Sequence, residues 1–207
     1  MHSKLILIGA SGHGKVCLDI AVRMNVWSSI FFLDDNVNLK SVNSTKIIGI
    51  VSDFKEYLEE YDFFVAIGNN KIREQIFDKL DEMNANIVNL AHPESTVAHD
   101  VKIGVGTVII GGAIVNPSTT IGVGGIINTG STIGHDCNLG RFVHVAPGVN
   151  IAGNTIIGNR TWLGIGSTII NNIVITDDCF IGAGGLVIND LIEEGVYIGS
   201  PVSKKKN

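Results

Sequence analysis

The 207-residue sequence lacks any run of about 18 apolar residues, the length that a membrane-spanning helix requires. It has only three cysteines, an odd number that argues against a disulfide framework. Lys and Arg number 15 against 20 Asp and Glu, and the net charge of −5 argues against a nucleic-acid partner. The apolar segment Leu5–Ile8 is too short for a secretory signal peptide, and Lys204–Lys206 is interpreted as a solvated basic tail. We therefore expect a cytoplasmic protein that binds neither membranes nor nucleic acid.

The high hydrophobic content, 45% of all residues, is concentrated in a repeat. From Val97 to Val187, every sixth residue is Val, Ile or Leu, without an insertion. These positions are Val97, Ile103, Ile109, Val115, Ile121, Ile127, Ile133, Leu139, Val145, Ile151, Ile157, Leu163, Ile169, Ile175, Ile181 and Val187. A period of six fits neither a helix nor a single half-buried strand, but it is typical of a hexapeptide β-helix. Three hexapeptides form one coil, so the segment predicts about five coils. A β-sandwich is disfavoured because its strands and loops vary in length.

The residue two places before each repeat position is usually small. Because strand side chains alternate in direction, both positions point inward, and a narrow interior accommodates only one large group. Ile173 is the clear exception. Cys137 and Cys179 occupy the small position, so we expect both thiols to face the core, where Cys137 cannot act as a nucleophile.

Residues 1–91 alternate between strand and helix patterns, which predicts a small parallel sheet of Rossmann type. The predicted elements, in chain order, are a strand at 4–8, a helix through Val16, Ile20 and Met24, a strand at 30–33, a short helix at 53–61, a strand at 63–67, a helix from Ile72 to Met83, and a strand at 87–90. Ala91-His92-Pro93 is the predicted joint, which gives domains of residues 1–91 and 92–207. After the repeat we expect a polar turn or short helix at 189–195 and an extended piece at 196–201.

A glycine-rich turn, Gly9-Ala10-Ser11-Gly12-His13-Gly14, follows the first strand and opens a helix. Free backbone N–H groups at a helix N-terminus favour phosphate binding. Asp35 follows Gly14 in the sequence at about the separation expected of the ribose-binding acid in a dinucleotide fold. Gly68-Asn69-Asn70 and Arg73 follow a parallel strand at the same sheet edge, where ligands gather. The short sheet favours a mononucleotide or nucleotide sugar over a dinucleotide. The alternative is a tight turn that binds nothing.

His135-Asp136 interrupts the small and aliphatic residues of the repeat, and His144 lies half a coil further on. A histidine exchanges protons near neutral pH, and an adjacent carboxylate orients its ring and stabilises its protonated form. The alternative is an ordinary surface histidine. A zinc site would need three converging ligands, and a third nearby histidine is not evident.

With these motifs in view, the chain resembles the nucleotide-sugar N-acetyltransferases and sialic acid O-acetyltransferases that are built on a left-handed β-helix. The resemblance covers nearly the whole chain. Its motifs are Gly9–Gly14, Phe32-Leu33-Asp34-Asp35, Ala66–Arg73, Gly134-His135-Asp136-Cys137, Val143-His144-Val145 and Gly199-Ser200-Pro201. It is most similar to bacterial enzymes that acetylate the 4-amino group of a UDP-linked 4-amino-4,6-dideoxy sugar on the way to bacillosamine.

The resemblance implies a homotrimer whose active sites lie between neighbouring subunits, with acetyl-CoA as co-substrate and no metal. His135 would be the general base, assisted by Asp136, and His144 would meet the acetyl-thioester. Acetyl-CoA would run along a groove marked by two pairs of residues eighteen apart: His135 with Gly153, and Ile165 with Ala183. The resemblance places the nucleotide, with UDP favoured, at Ser11, Gly12, His13, Asp34, Asp35 and Gly68, and the sheet-edge argument adds Asn69 and Asn70.

Two residues depart from the family pattern. Asp136 stands where the bacillosamine enzymes have Glu, so a shorter side chain supports the histidine. The terminal motif is Gly199-Ser200-Pro201-Val202, where Gly-Val-Pro-Ala is commoner. The alternatives to N-acetylation are O-acetylation of a sialic acid or related sugar, and a metal-dependent or non-catalytic hexapeptide protein.

Overall fold

A computed structural model describes residues 2–205 of the chain. Contacts between Cα atoms divide the chain into two compact units, residues 1–93 and 94–207. The predicted boundary after residue 91 lies two residues before this division. Among the helices of residues 2–205, none is long and apolar enough to cross a membrane.

The first unit is a parallel sheet with helices. Its sheet strands are β1 (Lys4–Ile8), β2 (Ser29–Leu33), β3 (Ser41–Val42), β4 (Thr45–Gly49), β5 (Tyr61–Val65) and β6 (Asn86–Ile87), and its helices are α1 (Gly12–Met24), a 3₁₀ helix (Val51–Tyr57) and α2 (Asn70–Glu82). A further strand, β7 (Leu90–Ala91), lies outside this sheet. The sheet order is β3-β4-β2-β1-β5-β6, and only the β3–β4 pair is antiparallel. β1 is central and buried, as its continuous apolar run predicts for a parallel strand. The predicted alternation of strand and helix is confirmed.

Three local elements of this unit differ from expectation. The β3–β4 hairpin was not predicted, and its turn places Asn43 and Ser44 at positive φ. The helix expected at 53–61 is a 3₁₀ helix that ends at Tyr57, because Tyr61 already begins β5. The last strand, expected at 87–90, is divided into β6 and β7.

The second unit consists of short strands separated by turns. Its repeat strands are β8 (Thr96–Val97), β9 (Lys102–Ile103), β10 (Val108–Ile109), β11 (Ile114–Val115), β12 (Thr120–Ile121), β13 (Ile126–Ile127), β14 (Thr132–Ile133), β15 (Asn138–Leu139), β16 (His144–Val145), β17 (Asn150–Ile151), β18 (Ile156–Ile157), β19 (Trp162–Leu163), β20 (Thr168–Ile169), β21 (Val174–Ile175), β22 (Cys179–Ile181) and β23 (Leu186–Val187). The chain ends with β24 (Gly195–Gly199) and β25 (Val202–Lys204), which pair antiparallel.

The repeat strands stack as parallel sheets on three faces, and each strand from β8 to β20 pairs with the strand eighteen residues later. On one face, for example, Ile133 of β14 pairs with Ile151 of β17, and Ile151 pairs with Ile169 of β20. The repeat residues from Ile109 to Val187 are at most 3% exposed and form one continuous core. The predicted six-residue rung and three-rung coil are therefore confirmed.

The small inward residues are also buried, and their polar atoms form hydrogen bonds with the coil. The Thr119 hydroxyl donates to the Gly134 carbonyl at 2.8 Å and accepts from the Cys137 N–H at 3.2 Å. Cys137 and Cys179 are buried as predicted, and burial raises the pKa of both thiols, that of Cys179 to about 11. A thiol in this state is not a nucleophile at neutral pH.

The segment after the repeat is extended at 195–199, as expected. In the expected turn at 189–195, Leu191 forms a parallel bridge with Ile175. Lys204 of the basic tail pairs with Glu193 at 2.8 Å. Lys206 lies outside the described residues.

Candidate active site

The first component of the site is the His135–Asp136 pair, at the corner that follows β14. Asp136 has a left-handed backbone, φ 57°, a conformation that Asp tolerates better than most residues. His135 Nδ1 lies 2.7 Å from Asp136 Oδ2, and the two side chains are 69% and 58% exposed. If Nδ1 carries the proton and donates to the carboxylate, Nε2 is the nitrogen that can accept a proton from a substrate.

Gly153 lies directly beneath the His135 ring, one coil further along the chain. A Cβ atom on Gly153 would lie 2.7 Å from both Cε1 and Nε2 of His135, closer than real Cβ contacts allow. The Asn154 N–H donates to the His135 carbonyl at 2.9 Å, which joins the two coils at this corner. The structure thus brings His135, Asp136 and Gly153 together.

His144 lies in β16, on a different face from His135, and its side chain is buried, 5% exposed. Its ring centroid is 3.9 Å from that of Trp162, the residue that pairs with it one coil later. The Asn128 Nδ2 atom lies 3.4 Å from His144 Nε2. The two histidines of this coil therefore occupy separate environments.

Ile165 and Ala183 occupy a third environment, at the corner that follows the face of His144. The Gly184 N–H donates to the Ile165 carbonyl at 2.8 Å, which stacks the two residues one coil apart. Both are exposed, and Ile165 is 62% exposed. The predicted stacking of this pair is present, but within one chain it lies on a different corner from His135 and Gly153.

The glycine-rich turn of the first unit borders a cavity of 290 Å³. The cavity is lined by Ala10, Ser11, Gly12, Lys15, Leu39, Ser41, Val42 and Asn43. Ser11 is the N-cap of α1, and the first turn of this helix contains no acidic residue. The backbone N–H groups and the helix dipole of α1 favour an anion here.

The two aspartates of the predicted nucleotide site do not line this cavity. Asp34 accepts hydrogen bonds from the N–H groups of Ala10 at 2.7 Å and Asn36 at 2.8 Å. Its carboxylate therefore stabilises the backbone of the glycine-rich turn. Asp35 accepts from the Val51 N–H at 2.9 Å, at the start of the 3₁₀ helix. Asp34 and Asp35 instead border separate cavities of 380 and 510 Å³.

His13 belongs to a partly buried cluster behind the turn. Its Nε2 lies 3.6 Å from Cys17 Sγ, one helical turn later. Burial, with a smaller contribution from the Arg73 charge, lowers the pKa of His13 to about 4. His13 is therefore neutral at pH 7, and it does not line the cavity that Ser11 and Gly12 border.

The turn that contains Gly68, Asn69 and Asn70 is held by a buried arginine. Arg73 Nη1 donates to the carbonyls of Ile67 and Gly68, both at 3.0 Å, and Nη2 donates to Asn70 Oδ1 at 3.0 Å. Burial lowers the pKa of Arg73 to about 9. Asn69 caps α2 by accepting from the Ile72 N–H at 3.1 Å. Asn69 and Asn70 thus stabilise the turn through hydrogen bonds. No heavy atom outside the adjacent residues lies within 4 Å of the position that a Cβ would take on Gly68.

The comparison with known proteins covers both units. A family model described as the PglD N-terminal domain matches residues 4–80. The structure of the acetyltransferase domain of PglB from Neisseria gonorrhoeae FA1090 is 34% identical to this chain, with a TM-score of 0.96, over 99% of this chain and 100% of that one. The chain belongs to the hexapeptide-repeat acetyltransferase family. The predicted family and fold class, a Rossmann-like domain followed by a left-handed parallel β-helix, are confirmed.

Two further relatives are informative: one was solved with bound ligands, and the other is named for its reaction. PerB from Caulobacter crescentus, solved in complex with CoA and GDP-perosamine, is 30% identical with a TM-score of 0.93, over 98% of this chain and 97% of that one. UDP-N-acetylbacillosamine N-acetyltransferase from Bacillus subtilis (strain 168) is 29% identical over 107 residues, 50% of each chain. The chain thus spans about half of the length of that curated relative.

Sequence reasoning missed several residues that border these sites. Lys15 and the β3–β4 hairpin line the 290 Å³ cavity, but a lone lysine and a two-residue strand carry no recognisable sequence signal. Asn128 and Trp162, which contact His144, could have been found from the repeat, since Trp162 follows His144 by eighteen residues. In the described part of the chain, no group of three or more His, Cys, Asp and Glu side chains is arranged to hold a metal ion.

Proposed function

We propose that this chain transfers the acetyl group of acetyl-CoA to the 4-amino group of a nucleotide-linked 4-amino-4,6-dideoxy sugar. Family membership supports the reaction class, and the acetyl-CoA complex of the PglB domain and the CoA complex of PerB support the donor. The observation that carries the proposal is the exposed His135–Asp136 pair at 2.7 Å, which holds an imidazole at a corner of the β-helix.

His135 is the general base in the proposed mechanism. Its Nε2 accepts a proton from the sugar amine, and Asp136 stabilises the resulting imidazolium. The amine nitrogen forms a bond to the thioester carbonyl carbon, the carbon–sulfur bond breaks, and the thiolate of CoA leaves and takes up a proton. No acyl-enzyme forms. The backbone N–H of Gly153, beneath the ring, is the candidate donor to the developing oxyanion.

We assign the acetyl-CoA side of the site to His144, Gly153, Ile165 and Ala183. Ile165 and Ala183 present apolar side chains at an exposed corner, which suits the apolar part of the pantetheine arm. Because this corner and the His135 corner differ within one chain, a site that uses both is completed by a second subunit. We therefore propose the homotrimer, in which the His135 corner of one subunit faces the Ile165 corner of its neighbour.

We assign the nucleotide to the first unit, at Ser11 and Gly12, with His13, Asp34, Asp35, Gly68, Asn69 and Asn70 as surrounding groups. The 290 Å³ cavity combines helix N–H groups with the Lys15 ammonium, a combination that suits a diphosphate. UDP is the proposed nucleotide, on the strength of the relative named for a UDP sugar. The GDP sugar of the PerB complex makes GDP the principal rival.

The general base is tested by His135→Ala. General-base catalysis contributes about 10²–10⁴-fold, so kcat/KM should fall by that factor while the fold is retained. His99→Ala, which removes an exposed histidine from another coil, is the matched control and should retain full activity. Asp136→Asn suits the same left-handed backbone and should cost less than His135→Ala. Near-full activity of His135→Ala would refute the assignment.

The acceptor atom and the nucleotide are tested with a panel of UDP-, dTDP- and GDP-linked 4-amino sugars and with sialic acid, each assayed for CoA release. Mild alkali then distinguishes the products, because esters hydrolyse and amides persist. An alkali-labile product formed only from sialic acid would favour O-acetylation. Lys15→Met should raise KM for the accepted nucleotide sugar and leave KM for acetyl-CoA unchanged. Binding of acetyl-CoA without turnover of any acceptor would indicate a non-catalytic role.

A further inference from the structure

The side-chain amide of Asn128 has only one orientation that satisfies its neighbours. Its Oδ1 accepts the Thr129 N–H at 2.9 Å, and the Thr129 hydroxyl lies 3.4 Å from the same oxygen. A backbone N–H cannot donate to an NH₂ group, so the amide oxygen must face Thr129. The Nδ2 group of Asn128 then faces His144 Nε2, at 3.4 Å.

This orientation decides the protonation pattern of His144. Because Asn128 Nδ2 is a donor, His144 Nε2 must offer its lone pair, and the single proton of the neutral ring lies on Nδ1. A protonated Nε2 would point one N–H group at another. The hydrogen-bond network, and not the ring alone, therefore selects the Nδ1–H tautomer.

The surroundings of His144 reinforce this state. Ile126, fully buried, pairs with it on one side, and the Trp162 ring lies 3.9 Å away on the other. Exclusion of water from both faces disfavours a charged imidazolium. His135, by contrast, is exposed, and its Nδ1 lies 2.7 Å from a carboxylate oxygen of Asp136.

We propose that Asn128 is a positioning residue that holds His144 as a neutral Nδ1–H imidazole and so prevents it from acting as a second base. The two histidines of one coil then have different roles: His135 moves the proton, and His144 is a fixed hydrogen-bonding group on the acetyl-CoA side. The functional part of this inference depends on the proposed acetyltransferase reaction. The tautomer itself does not.

The tautomer is tested by NMR of the full-length protein with ¹⁵N-labelled histidine, in which long-range ¹H–¹⁵N correlations distinguish protonated from unprotonated ring nitrogens. A spectrum of His144→Gln identifies the His144 signals. At pH 7 we expect protonated Nδ1 and unprotonated Nε2. An Nε2–H tautomer, or an imidazolium, would overturn the proposal whatever the enzyme acetylates.

Asn128→Asp is the matched variant, because it keeps the acceptor for the Thr129 N–H and replaces only the donor toward His144. The proposal predicts that His144 gains a proton on Nε2 and that kcat/KM for acetyl-CoA falls by about tenfold, the effect of one misplaced hydrogen bond. Asn138→Asp changes an exposed Asn on another face of the coil and is the control. An altered tautomer with unchanged kinetics would refute the functional part alone, and an unaltered tautomer would refute the proposal itself.

Discussion

Gly153 shows how a single absent side chain shapes the candidate active site. The His135 ring occupies the space above the Gly153 Cα, and its Nε2 lies where a Cβ would contact it at 2.7 Å. The backbone of Gly153 is not left-handed, so alanine is compatible with its conformation.

We predict that Gly153→Ala folds normally but displaces the His135 imidazole, and that kcat falls by about tenfold to a hundredfold because a general base must lie within hydrogen-bond reach. Steady-state kinetics together with thermal unfolding measures both quantities. Full activity would contradict the expected displacement of the ring, and a large loss of stability would contradict the expectation that the variant folds normally.

Two buried serines on one face of the coil provide a second test at this scale. The Ser131 hydroxyl donates to the Asn128 carbonyl at 2.7 Å, whereas Ser167 Oγ is the buried side-chain oxygen that has no hydrogen-bond partner in residues 2–205. We predict that Ser131→Ala lowers the free energy of unfolding by about 1 kcal/mol, and that Ser167→Ala leaves it unchanged or raises it. Urea unfolding of the two variants side by side is the measurement. Equal losses would contradict the argument.

At the scale of elements, α1 was predicted from its apolar spacing. The side chains at its N-terminus point in two directions. Ser11, Gly12 and Lys15 face the 290 Å³ cavity, while His13 turns toward Cys17 in the interior. The motif suggested that Ser11, Gly12 and His13 all contact the nucleotide. The direction of each side chain around the helix, which the motif does not show, separates them.

The burial of His13 predicts a pH dependence of stability in the first unit. Its pKa is about 4 in the folded protein and 6.5 when unperturbed, so between these values the unfolded chain binds more protons. Stability should therefore fall as the pH drops from 6.5 to 4, by about 2 kcal/mol between pH 7 and pH 5.

This loss should be absent in His13→Asn and retained in His99→Asn. Trp27 is buried in the first unit, so its fluorescence in a Trp162→Phe background reports urea unfolding of that unit. Parallel pH profiles for the parent and His13→Asn would show that His13 is not held neutral by burial.

The β3–β4 hairpin was not predicted because its strands carry no local sequence pattern. A two-residue strand has too few side chains to show a period of two, and β4 is held by parallel pairing with β2, including Ile47 with Phe32. Such pairing is a tertiary contact. By contrast, the β-helix strands are equally short but were all located, because the same position recurs every six residues.

At the scale of the whole molecule, the proposed trimer makes a prediction that no single chain can test. His135→Ala removes the base from one corner, and Ala183→Trp should block the acetyl-CoA corner. If each site combines the two corners from different subunits, co-refolding equal amounts of the two inactive variants should restore about a quarter of the wild-type activity.

Sedimentation of the mixture should show assemblies of three chains. Activity that stays at the level of the separate variants would place both corners of the site in one subunit, or would show that the variants do not assemble together.

The sequence by itself determined the rung length, the coil of three rungs, the inward side chains and the alternation of the first unit, because each of these follows from a local period and from the size of the group that fits a narrow core. It also singled out His135 and Asp136, since charged groups stand out in an aliphatic repeat. Only the tertiary structure decided the contact of His144 with Asn128, the inward position of His13 and the structural use of Asp34. Each of these depends on a hydrogen-bond partner or a neighbouring group from another part of the chain, and no local pattern specifies which side chain will be found there.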